Sequence, residues 1–169
     1  MATESDKDGV VMKGLSRILR RAVIPGSAAA STSALVAAVR ATGDGSTPYA
    51  PFNAVTHWIW PRRAFAETGP SVRFTLSGLA IHYAAAIFWG ALFESLLIRR
   101  YRNQQASSDP VAVAGTAATV ATVAYVVDYH GVPKRLTPGF EAHLSKRSIF
   151  YVYAGFAAGF AVAALWRRE

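Results

Sequence analysis

A few side chains in this sequence could do more than pack: His57, His82, Asp128, His130, Glu141 and Glu94. Imidazole and carboxylate groups together make ligand sets for Zn²⁺, Fe or Mn²⁺, and a histidine can hold haem. The chain has no H-E-x-x-H pair and no two histidines within one apolar block at the spacing that bundle metal sites use. A site on His57, His82, Asp128, His130 and Glu141 would therefore have to be assembled from separate elements. With no cysteine, disulfides and thiolate metal sites are excluded.

The elements that would position these groups follow from hydropathy. Over half of the 169 residues are hydrophobic, and they collect into four blocks separated by polar, arginine-rich stretches. A soluble domain would place charges every few residues instead. The blocks predict an all-α fold, a polytopic transmembrane helical bundle of about four helices. The spans are expected at 22–39, 75–98, 110–130 and 149–166, within a transmembrane domain covering 22–169.

Ahead of it, 1–9 reads as a disordered N-terminus and 10–21 as a basic amphipathic segment. That segment either lies on an anionic membrane surface or extends the first span. A cleaved signal peptide fits poorly, because Arg40 stands inside the candidate cleavage site Val39-Arg40-Ala41. The net charge of +8 is carried largely by arginine pairs at block ends: Arg20-Arg21, Arg99-Arg100 and Arg167-Arg168. That placement marks membrane boundaries, so the partner implied is a lipid bilayer, with no nucleic acid.

Punctuation between the blocks is specific. Asp109 and Pro110 fit an N-cap and first helical position, Gly131 fits the C′ position, and Ser148 could cap the last span. The first long loop holds Trp58 and Trp60 between Pro51 and Pro61, and the third holds Thr137-Pro138. Each is expected to form a short interfacial helix, the latter over 138–145.

With four spans both termini share a side. An N-in, C-in arrangement puts ten Lys and Arg inside against eight outside. That bias is small enough to allow dual insertion and an antiparallel homo-oligomer. It also sends His57, His82, His130 and His143 toward one face, with His82 about 10 Å below it. An ionisable group at that depth needs a polar partner from a neighbouring helix. Asp128, at the negative end of a helix dipole, needs a donor as well, for which His82, Lys134 and Arg135 are at hand. The connectivity suggests a His82–Asp128 pair. Glu94, near the opposite face, is expected to reach toward Arg99 and Arg100.

Small residues signal close helix packing. Gly78, Ala86 and Gly90 share a stripe with His82 and Glu94. Gly155 and Gly159 are four apart in the last span, and Gly26, Ala30, Ala34 and Ala38 repeat that spacing in the first. Such stripes serve packing within the chain or a homo-oligomer.

The segments Asn53-Ala-Val-Thr-His-Trp58, His82-Tyr-Ala-Ala-Ala-Ile-Phe-Trp-Gly-Ala-Leu-Phe-Glu94 and Leu136-Thr-Pro-Gly-Phe-Glu141 together resemble a family of small, uncharacterised bacterial inner-membrane proteins with about four helices. The resemblance implies architecture and location, and carries no activity. The leading expectation is a non-enzymatic accessory or interaction subunit with no cofactor, acting with a membrane protein partner. The alternatives are a metal or haem protein using the outer-face residues, and an oligomeric small transporter using Glu94 or His82.

Overall fold

The computed structural model describes residues 4–103 and 109–167. Among them there is no strand, and four helices are long and apolar enough to cross a membrane. Helix α1 (Glu4–Gly43) is followed by a short α2 (Ala50–Val55), then α3 (Ser77–Asn103), α4 (Pro110–Val126) and α5 (Lys146–Trp166). Residues 1–3 and Arg168 lie outside the described residues. Residues 4–9, expected to be disordered, are helical, and the 40-residue α1 runs on through 10–21 into the first span. At 1.5 Å per residue it is about 60 Å long, twice what a bilayer core requires.

Pro25 sits inside α1. Lacking an N–H, it leaves the carbonyl of Arg21, four residues back, without its helical donor. Arg167 of α5 supplies one: its Nη1 donates to Arg21 O at 3.3 Å.

Helix α4 starts where its cap residues require. Asp109 Oδ1 accepts from Val111 N at 2.9 Å, and Pro110 follows at the first position. Two boundaries differ from expectation. Ser145, not Ser148, caps α5, its Oγ accepting from Ser148 N at 3.2 Å. Gly131 does not end α4 in a left-handed turn. The helix widens into a π turn over Val127–Gly131, and the described glycines with positive φ are Gly45 and Gly139.

Helix α1 packs along both α3 and α5, and α5 also packs along α4, whereas α3 and α4 touch only lightly. Small residues allow the close crossings. A Cβ on Gly26 would fall 2.6 Å from Ile87 Cα, and one on Gly90 would fall 2.9 Å from Ala22 O. On the other side of α1, a Cβ on Gly159 would fall 2.5 Å from Ala29 Cα, and one on Gly155 3.0 Å from Val36 Cγ2. Thr32 Oγ1 lies 2.8 Å from Gly155 O and 2.9 Å from Ala28 O, so its single proton serves either carbonyl. Where the bundle is wider, Phe93 and Phe160 stack at 4.9 Å, with Phe156 edge-on to Phe160.

The loops beside the His82 end of the bundle are ordered by buried polar groups. Fully buried Asn53 donates to Glu67 O and Gly69 O and accepts from Thr75 Oγ1 at 2.7 Å. Trp58 Nε1 donates to Thr137 O at 2.9 Å, tying the first loop to the third. Gly78 presses on α2, where a Cβ would collide with Phe52 O. Gly139 is required twice over: its φ is +82°, and a Cβ would stand 2.9 Å from Ala54 O. Short helical turns occupy both loops, α2 with Thr56–Trp58 in the first, and Lys134–Leu136 with Phe140–Ala142 in the third.

Candidate functional site

Because α3 and α4 barely meet, the bundle leaves a cavity of about 320 Å³ between them, the low end of the range for small-molecule sites. Its walls are mostly aromatic and aliphatic, with Phe88 and Trp89 from α3, Val127 beyond α4, Phe156 from α5, and Trp58 and Phe140 from the loops. Phe88, 65% exposed, stands at the rim on the outer surface of α3.

Four polar side chains interrupt the apolar lining: Ser33, His82, Asp128 and Tyr153. His82 Nε2 lies 3.2 Å from Ala30 O and 3.1 Å from Ser33 Oγ. A carbonyl can only accept, so Nε2 carries the proton, and in the neutral ring Nδ1 keeps a free lone pair. Ser33 Oγ in turn donates to Ala29 O at 2.6 Å. Across the bundle, Tyr153 donates its hydroxyl proton to Asp128 Oδ2 at 2.6 Å. The site therefore offers acceptors, Nδ1 of His82 and the carboxylate of Asp128, in apolar surroundings where a donor has few alternatives.

The expected His82–Asp128 pair does not form. Both residues line the cavity, but His82 is bonded to α1 and Asp128 to α5. The donor proposed for Asp128 among His82, Lys134 and Arg135 is Tyr153 instead. The reason is lateral order: the connectivity sets the two residues at similar depth, while α3 and α4 flank the α1–α5 pair rather than packing together.

The other expected site residues are elsewhere. His57 is buried under Phe65, its Nδ1 donating to Ala54 O at 2.8 Å while Nε2 has no hydrogen-bond partner. His130 is exposed beside the Tyr125 ring. Exposed Glu141 accepts from Thr137 Oγ1 at 2.9 Å. Among the described residues no three His, Asp or Glu side chains come close enough to hold a metal ion, so this five-residue set does not converge. Of the stripe on α3, Ala86 and Gly90 face α1, and Gly78 faces α2.

Glu94 also departs from expectation. It is 5% exposed and pairs with Arg167 of α5 rather than with Arg99 or Arg100. A carboxylate held in an ion pair is poorly placed to shuttle protons. Sequence reasoning passed over Ser33, Tyr153 and Trp58. Tyr153 carried a usable signal, since a phenol inside an apolar span needs an acceptor and Asp128 needs a donor.

Comparison with known proteins finds no matching family model, no matching curated protein and no matching solved structure.

Proposed function

We propose that this protein is a multi-pass component of the bacterial inner membrane that binds a small lipid-soluble molecule. The molecule enters from the side between α3 and α4. It carries a hydroxyl or amino donor, which His82 and Asp128 accept, and a compact apolar body that fits among Phe88, Trp89 and Phe156. The protein acts as a non-enzymatic accessory subunit that holds or delivers such a molecule to a membrane partner, with both termini cytoplasmic. The observation that carries this reading is an apolar cavity whose lining includes both a histidine, His82, and a carboxylate, Asp128. Groups so costly to bury in a membrane are seldom kept for packing alone.

The test compares 2-naphthol with naphthalene on the detergent-purified full chain, read by quenching of tryptophan fluorescence and by thermal stabilisation. Trp58 and Trp89 line the cavity and report directly. Saturable binding of 2-naphthol, weaker binding of naphthalene, and loss of both in Ala85→Trp, which fills the cavity, are expected. Equal response to the two probes, or an unchanged response in Ala85→Trp, overturns the proposal.

A further inference from the structure

The opposite end of the bundle carries a second site. Arg17, Arg20 and Arg21 are three and four residues apart and share one face of α1, where like charges repel. The end of α5 brings Arg167 to the same place. Together with Ser16 and Ile24 the four arginines line a shallow depression of about 520 Å³. Among the described residues, the carboxylate paired at this end is Glu94, and it is engaged by Arg167. Among the described residues, the guanidinium groups of Arg17, Arg20 and Arg21 form no ion pair.

We infer that this depression binds the phosphate headgroup of an anionic phospholipid. The charge calls for an anion, and guanidinium forks suit phosphate oxygens. What selects a lipid over a soluble anion is the apolar surface directly below. Ile24 floors the depression and is 58% exposed, and Trp166, beside Arg167, is 77% exposed. Three residues carry α1 from Arg21 to Ile24, about 4.5 Å further along the span. A headgroup held by the arginines would lay its acyl chains along Ile24 and Val23. Trp166 would sit at the interfacial level that indole rings favour. Arg167 already binds Glu94 and Arg21 O, so it forms the fixed wall, and Arg17, Arg20 and Arg21 supply the movable clamp.

The test is native mass spectrometry of the full chain in detergent, titrated with phosphatidylglycerol, phosphatidylcholine and inorganic phosphate. Arg20→Gln/Arg21→Gln leaves Arg167 and the Arg21 backbone in place. Arg99→Gln/Arg100→Gln removes the same charge from elsewhere on this face. Phosphatidylglycerol should bind in preference to phosphatidylcholine. The first variant should weaken it roughly 30-fold, at about 1 kcal/mol per arginine, and the second should leave it within twofold. Equal retention of the two lipids, equal loss in the two variants, or displacement of phosphatidylglycerol by millimolar phosphate each overturns the inference. The last outcome would assign the depression to a soluble anion.

Discussion

Arg167 completes a helix to which it does not belong: its Nη1 donates to Arg21 O, the carbonyl that Pro25 leaves open in α1. The same guanidinium pairs with Glu94 on α3 and donates Nε to Ala163 O on its own helix. One side chain thus joins α1, α3 and α5 at the end of the bundle away from the cavity.

Removing that side chain leaves Glu94 buried without its partner. Arg167→Leu should lower unfolding stability in detergent by about 3 kcal/mol. Glu94→Leu/Arg167→Leu should lose less than Arg167→Leu alone, because no orphaned charge remains. Chemical unfolding of the three variants checks this. Equal losses in the single and double variants would mean that Glu94 is solvated without Arg167.

The tightest α1–α5 contact is at Gly159. Any Cβ there would collide with Thr32 Oγ1 and lie 2.5 Å from Ala29 Cα. Gly159→Ala should cost about 1–3 kcal/mol through overpacking. Gly115→Ala, at a position with nothing within 4 Å, should cost nothing measurable. A fall in melting temperature confined to Gly159→Ala is the expected outcome.

His82→Ala and Asp128→Asn should be additive within about 0.5 kcal/mol, since the two residues hold different helix pairs and share no bond. A double-mutant cycle measured by unfolding gives the answer. A coupling above 1 kcal/mol would require a direct interaction that the present arrangement does not contain.

Acid should loosen the start of α5. Burial pushes the His143 imidazole below its ordinary 6.5. Hydrogen bonds from Ser148 and Ser145 pull the Asp44 carboxyl below its ordinary 3.8. In both cases the unfolded chain takes up a proton before the native one, so stability is lost as pH falls. For His143 the loss starts near 6.5 and is complete below its native value. For Asp44 it starts near 3.8. Stability should decline in two steps as pH falls, and His143→Gln should shrink the first step and leave the second.

The orientation is checked by reporter fusions after residues 45, 105, 135 and 169. Cytoplasmic signals at 105 and 169, with external signals at 45 and 135, are expected. The same signal at every site would indicate dual insertion.

The spans were legible because a bilayer permits few solutions: long apolar helices whose ends carry charge or caps. Asp109-Pro110 marked the start of α4 for the same local reason that the structure uses it. Partners were less legible, because the sequence gives depth along the membrane normal but not which helix stands beside which. His82 and Asp128 match in height, yet α1 and α5 each take one of them. Glu94 was near Arg99 and Arg100 along its own helix, but Arg167 at the end of α5 takes it instead. The Arg21 carbonyl that Pro25 leaves open was not foreseen, and its donor lies 146 residues further on.

The two helices that share the glycine-lined seam, α1 and α5, are made far apart in time, since α1 ends at Gly43 and α5 begins at Lys146. During synthesis the groove around Ala29 and Thr32 has no cover until residues after 145 enter the membrane. Until then α1 must keep that groove against lipid, a neighbouring protein or the insertion machinery. A chain stopped before α5 would present an open small-residue face, a lone Glu94 and an unmet Arg21 carbonyl together. The α1–α5 seam therefore closes only once α5 has followed α3 and α4 into the membrane.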